Sequence, residues 1–284
     1  MKVVPFSVPK TLNEAFRFQE DLQPYFYDKL HQHPELQIML ILKGEGTLVA
    51  GDYVGRFEPT DLFIIGSEQA HVFRNDEAYY QPKSKLKAQA ISIYFNKEYV
   101  GDRFWNLDEM KSARDFTERA KRSFKVNGKT KETLTQLIDQ LKSQTGFEKL
   151  LIFFQVLSRL SNSLELQPLS VTASKEDDFK SEGKRMNDIL QFTFRESHRK
   201  IYLHEIAEVA NLSIEAFCRY FKTRTRKTYT SFLNEVRVSN ACRLLLDQEK
   251  SVQEVCYQAG FNNISNFNRV FKKTVGKAPS NYLK

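Results

Sequence analysis

The chain has 284 residues, 41% of them hydrophobic and 27% charged, with a formal net charge of +8. That length and balance suit two folded domains, each large enough for a core, and exclude a disordered or fibrous class. No apolar run reaches membrane-span length and the first ten residues lack the apolar core of a signal peptide, so no membrane partner is expected and the cytoplasm is the expected location.

In chain order, residues 32–95 read as short strands. β-favouring runs at 35–43, 47–50, 53–57, 62–65, 71–73 and 88–95 are separated by turn signals at Gly44-Glu45-Gly46, Gly51-Asp52, Glu58-Pro59-Thr60-Asp61 and Gly66-Ser67. Many short strands with regular turns predict a small barrel or jelly roll.

The pieces His31-x-His33-Pro-Glu35, Gly44-x-Gly46, Gly51-Asp52, Pro59-x-Asp61-Leu62 and His71 resemble a cupin-type sensor domain. The resemblance implies a barrel whose mouth holds a small effector, with His31, His33, Glu35, Gln37 and His71 as its contacts. The first four share parity, so on one strand they face one way. Two histidines and a carboxylate could form a first shell for iron, manganese or zinc. Catalytic cupins, however, place the glutamate where Gln37 or Ile38 stands here, and Gln is a poor ligand. No metal, cofactor or catalytic residue is therefore assigned, and a metal-dependent cupin-type enzyme with an accessory nucleic-acid domain is the alternative.

Residues 106–167 turn helical. Phe116, Ala120 and Phe124 form one stripe, and Leu134, Leu137, Ile138 and Leu141 another. Over 147–160, Leu150, Leu151, Phe153, Phe154, Val156, Leu157 and Leu160 make an apolar band too wide for a helix with one wet side. Such a helix is buried on the barrel or against a second copy of the chain, and a homodimer is expected. Residues 168–183, rich in Ser and charges with little periodicity, read as an exposed linker.

From residue 184 onward there are 18 Lys and Arg against 9 Asp and Glu, whereas residues 1–183 hold 25 and 26. Net charge concentrated in one half predicts a polyanionic partner, since each cation near a phosphate releases condensed counterions. The same region contains one architecture twice. Leu203, Ile206, Ala207 and Ala210, then Val252, Val255, Cys256 and Ala259, mark short helices, each running into a turn and a second helix. Asn211 and Gly260 suit the left-handed end of the first helices, Ser213 and Asn263 the N-caps of the second. That is a helix-turn-helix pattern. Phe217 and Phe221, like Phe267 and Phe271, sit four apart as anchors. A helix over 230–246 joins the copies, and another over 185–198 precedes them. Cys218, Cys242 and Cys256 have neither disulfide nor zinc spacing and read as reduced packing residues.

The paired Arg219-x-Phe221-Lys222 and Arg269-x-Phe271-Lys272 helices, the Gly260-Phe261 turn and the ending Gly276-x-x-Pro279-x-x-Tyr282 together resemble the AraC/XylS family of bacterial transcription regulators. The chain departs from the family pattern at Arg226 and Asn211, where glycines are usual. On the second helix of each copy, Glu215, Cys218 and Arg219, and Ile264, Ser265, Asn268 and Arg269, point away from the phenylalanines and are the expected base contacts. Arg matches guanine O6/N7 and Asn adenine N6/N7. Arg219 and Arg269 could instead serve a structural ion pair or a phosphate. Lys222, Arg224, Lys272 and Lys273 are the expected phosphate contacts.

The expected class is thus α+β with two domains. A cupin-like barrel (1–105) is followed by a helical connector used for dimerisation (106–167), a linker (168–183) and an all-α double helix-turn-helix (184–284). The resemblance implies a regulator of transcription, more often an activator, that binds double-stranded DNA under control of a small-molecule effector, and not an enzyme.

Overall fold

The computed structural model describes residues 14–170, 183–246 and 250–282. They form two compact units, one sheet-rich within residues 14–170 and one helical from residue 183 on. The linker expected over 168–183 lies mostly outside the described residues, as does the N-terminal decapeptide.

The first unit contains β1 (Arg17–Gln23), β2 (Leu36–Lys43), β3 (Gly46–Ala50), β4 (Tyr53–Phe57), β5 (Leu62–Ile65), β6 (His71–Asn75) and β7 (Ala88–Phe95). After these come α1 (Asp102–Trp105), α2 (Lys111–Ala120), β8 (Phe124–Val126), α3 (Gly128–Gln140), α4 (Gly146–Ser161) and β9 (Leu166–Pro168). The six strands expected from the sequence are present. β1, β8 and β9 were not expected, because β1 is polar along much of its length and the other two have only three residues each. Phe124, expected on a helical stripe, belongs to β8 and pairs with Ile64.

The strands form a six-stranded sheet in the order β1-β7-β2-β5-β8-β9 and a three-stranded sheet in the order β4-β3-β6. Among the described residues the ladders do not close, so the expected barrel is instead a pair of sheets. Alternation along the strands explains why both faces of the larger sheet are apolar. Leu36, Ile38, Leu40, Leu62, Ile64, Ile91, Ile93 and Phe95 join one core with α2, α3 and α4. Met39, Ile41, Phe63, Ile65, Ala88 and Ala90 join the other with Leu48, Phe57 and Phe73 of the smaller sheet. The wide apolar band of α4 is explained by this packing only in part. Phe153, Val156, Leu157 and Leu160 are buried on the sheet, while Phe147 remains 71% and Leu151 39% exposed.

The second unit holds α5 (Gly183–Glu196), α6 (Leu203–Val209), α7 (Ile214–Thr225), α8 (Tyr229–Leu245), α9 (Val252–Gln258) and α10 (Ile264–Val275). α8 is the beam of this unit. Near its start Tyr229 and Phe232 meet Phe221 of α7 edge-on, with ring centroids 5.4 Å apart in both pairs. Toward its end Val238, Ala241, Cys242 and Leu245 share a core with Val255, Cys256, Phe261, Phe267 and Phe271. Cys242 and Cys256 are free and buried, and Cys218 is free and exposed.

Candidate nucleic-acid interface

The two helix-turn-helix copies agree bond for bond. In the first turn Asn211 N–H donates to Glu208 O (2.9 Å) and Leu212 N–H to Ala207 O (3.0 Å); in the second, Gly260 N–H donates to Tyr257 O (3.0 Å) and Phe261 N–H to Cys256 O (3.0 Å). These bonds cap carbonyls that a helix end leaves open, and they require positive φ at the turn residue. It is +52° at Asn211 and +93° at Gly260. The following helices start on side-chain caps, Ser213 Oγ accepting from Ala216 N–H (3.2 Å) and Asn263 Oδ1 from Asn266 N–H (2.9 Å). At their far ends Arg226 and Gly276 adopt φ of +58° and +85°, donating to Lys222 O and Lys272 O. Arg226 thus takes the same left-handed cap as its glycine counterpart.

With both anchors of each second helix buried (Phe217, Phe221, Phe267 and Phe271 are all 0% exposed), the opposite face is turned outward. Glu215, Cys218, Arg219, Ser265, Asn268 and Arg269 are exposed, as are Lys222, Lys272 and Lys273. Arg224 is half-buried, its guanidinium 5.9 Å from the Tyr220 ring centre. Ile264 departs from expectation, because it packs against the core around Phe267 and presents little surface. Asn268, Arg269 and Lys272 line a groove of about 370 Å³ together with Val252, Ala278 and Pro279. Arg269 Nη2 donates to Asn266 Oδ1 (2.8 Å), which sets the guanidinium on the exposed face. Helical spacing alone brings these two together, but sequence reasoning passed over Asn266.

A second set missed in the sequence ties the unit together. Arg237 of α8 donates from Nε to Ser197 O (2.9 Å) and from Nη2 to Arg199 O (2.6 Å), and its guanidinium lies 5.8 Å from the Phe261 ring centre. One side chain therefore reaches both the loop before the first helix-turn-helix and the turn of the second. Arg199 bonds Glu196 (2.7 Å) and Glu205 (2.8 Å). Hydrogen bonds from Arg195 and then Arg199 hold the Glu196 carboxyl below the usual carboxylate range, and those from Tyr202 N–H and then Arg199 do the same for Glu205. Glu205 Oε1 also accepts from Tyr202 N–H (2.9 Å) at the start of α6.

In the first unit, His31, His33 and His71 come together, one ring nitrogen of each lying within 4.8 Å of the others. His31 and His33 do not sit on a strand with Gln37 as their parity suggested. They precede β2, and His31 instead bridges to His71 through a pair of backbone hydrogen bonds. Gln37, on β2, approaches His33 Nε2 with Oε1 at 3.4 Å and donates to Ser92 Oγ (3.1 Å) and Tyr94 Oη (3.2 Å). Glu35 lies on the Nδ1 side of His33, at 3.6 Å, and accepts from Tyr99 Oη (2.7 Å). Burial lowers the pKa of all three imidazoles, that of His31 to about 4. The result is a polar spot of neutral rings within an apolar interior.

Paired helix-turn-helix units with outward basic faces define a DNA-binding protein of the regulator class. Residues 206–284 match the family described as a helix-turn-helix domain. Over 91% of its length the chain is 26% identical to an uncharacterized HTH-type transcriptional regulator, YdeC of Bacillus subtilis, covering 87% of that protein. It is 22% identical to the HTH-type transcriptional activator RhaR of Mannheimia succiniciproducens, over 92% of this chain and 88% of that one. Among solved structures, ToxT of Vibrio cholerae is similar over 95% of this chain and 98% of its own, at 16% identity and a TM-score of 0.36. The DNA-binding domain of AdpA, solved with a target DNA, covers 33% of this chain and 85% of its own, at 26% identity and a TM-score of 0.32. The chain is thus similar, over most of its length, to proteins named as HTH-type transcription regulators, and its C-terminal part matches a helix-turn-helix domain. These relatives are named as transcription regulators, and the cupin-enzyme alternative finds no support among them. No helix among the described residues is long and apolar enough to cross a membrane.

Proposed function

We propose that the chain, acting in the cytoplasm as a homodimer, activates transcription by seating α7 and α10 in successive major grooves of a promoter, controlled by a small effector in the sheet-rich unit. The observation that carries this reading is the equivalence of the turn and of both caps of the second helix in the two helix-turn-helix copies on one shared helix. Two equal readers fixed to a beam suit successive grooves, about 34 Å apart on one face of B-DNA. Glu215, Cys218, Arg219, Ser265, Asn268 and Arg269 then face base edges, and Lys222, Arg224, Lys272 and Lys273 face phosphates.

The activating direction is supported by the relative named an activator. The effector is assigned to the first unit because His31, His33, Gln37 and His71 form a polar spot inside it, which folding alone does not require. An effector can shift the protein only by binding two of its arrangements unequally. Exposed Phe147 and Leu151 on α4 support pairing between copies. A monomer mass by light scattering at micromolar concentration would sink the dimer. For DNA binding the test is affinity for duplex DNA against salt. The logarithmic slope should be steep, about −0.9 per phosphate neutralised, and Lys272→Ala should flatten it by about one such step. A flat salt dependence would overturn the reading.

A further inference from the structure

We propose that His31, His33 and His71 form a binding site for a single divalent transition-metal ion of the zinc class, inside the sheet-rich unit. Gln37 stands where catalytic cupins carry a carboxylate ligand. The structure replaces that carboxylate with a third imidazole, because the bridge between His31 and His71 brings a residue of β6 against the segment ahead of β2.

The tautomers point the same way. His31 Nδ1 lies 2.9 Å from Lys29 O, His33 Nδ1 2.9 Å from Glu35 O and His71 Nδ1 2.8 Å from Gln69 O. A carbonyl can only accept, so Nδ1 of His31 and of His71 carries the proton and Nε2 the lone pair. Both nitrogens of His33 face acceptors, Glu35 O and, at 3.4 Å, Gln37 Oε1, and ligation requires His33 Nε2 to leave Gln37. Orienting an imidazole through its other N–H on a backbone carbonyl is the usual support of a metal-ligating histidine. Three rings satisfied this way in one spot, two of them buried (His33 2%, His71 1% exposed), are more than core packing needs. The rings already crowd, with centroids 4.2 Å apart for His31 and His71 and 5.1 Å for His33 and His71.

Ligand atoms now within 4.8 Å of one another need to close to roughly 3.4 Å, the spacing that bonds of about 2.1 Å give around a tetrahedral ion. Neutral imidazoles suit zinc, cobalt, nickel or copper and disfavour magnesium or calcium. The Glu35 carboxyl lies behind His33, its Oε2 buried 3.6 Å from His33 Nδ1. Three protein ligands leave a fourth position for water or a ligand oxygen.

The test is titration of untagged, chelator-stripped full-length protein with Co²⁺ and then Zn²⁺. One equivalent of Co²⁺ should give the intense visible bands of a four-coordinate site, and Zn²⁺ should abolish them. His71→Ala and half-buried His31→Gln should each weaken binding by about tenfold or more, while His198→Ala and His204→Ala, outside the cluster, should not. Far-UV circular dichroism establishes that each variant is folded, and His31→Gln decides the matter if His71→Ala is not. No bands in the wild type, or bands that survive His31→Gln, would overturn the site. The outcome does not depend on whether the chain binds DNA.

Discussion

Gly260 lies so close to Ser197 that a Cβ at position 260 would run into the Ser197 carbonyl oxygen, the same oxygen that accepts from Arg237 Nε. The glycine is required twice, once by its φ of +93° and once by this approach. The second helix-turn-helix is thereby set against the loop that introduces the first. Gly260→Ala should destabilise the helical unit by about 2 kcal/mol or more, combining left-handed strain with overpacking. Arg237→Ala should also lower stability, by leaving two carbonyls without a donor and baring Phe261. Urea denaturation followed by circular dichroism measures both. A Gly260→Ala protein as stable as the wild type would contradict the close approach.

Arg226 holds a left-handed cap where the second copy has Gly276. Arg226→Gly should therefore stabilise the unit by about 0.5–1 kcal/mol, strain relieved less the added freedom of the unfolded chain. A branched residue there, Arg226→Val, should do the opposite. Denaturation midpoints of the three proteins decide the order.

Arg269 and Lys272 stand one turn apart on α10 but serve different ends in this account. Arg269→Ala should lose preference at one operator position, worth about 1–3 kcal/mol of discrimination. Lys272→Ala should weaken all sequences alike. Asn266→Ala should act like a mild form of Arg269→Ala, because it frees a guanidinium now held at 2.8 Å. Uniform weakening by Arg269→Ala would move Arg269 to the phosphate contacts.

Glu196 and Glu205 have carboxyl pKa values lowered by hydrogen bonds, Glu196 by Arg195 and Arg199, and Glu205 by Tyr202 N–H and Arg199. A depressed folded-state pKa adds stability above the unfolded value, near 4.5, and that stability is lost as pH falls below it toward the folded value. The helical unit should therefore weaken below about pH 4.5, and Glu196→Gln should be less stable at pH 7 and less sensitive to acid. Thermal melts at pH 7 and in the acid range read both effects. An unchanged pH profile in Glu196→Gln would contradict it.

The helical unit was largely legible in the sequence because its signals are local. Asn211, Ser213, Gly260 and Asn263 specify turn and cap within four residues of where they act, and Phe217, Phe221, Phe267 and Phe271 mark inner faces by spacing alone. Arg237 was not legible, since its partners Ser197 and Arg199 are about forty positions away. In the sheet-rich unit, strands with β-branched or aromatic runs could be read, but β8 and β9 are made by pairing rather than by propensity. The open arrangement of the sheets depends on which strands pair across the chain. For the same reason the histidines' shared parity misled: His31 answers to His71, forty residues on, and not to Gln37.

The account's central claim, two equal DNA readers on one helix, is tested most directly by selecting bound duplexes from a random pool with the full-length protein. It predicts a motif of two boxes about one helical turn apart, with Arg219→Ala degrading one box and Arg269→Ala the other. A single box, or recovery with no motif from both the full chain and the fragment from residue 184 to 284, would contradict it.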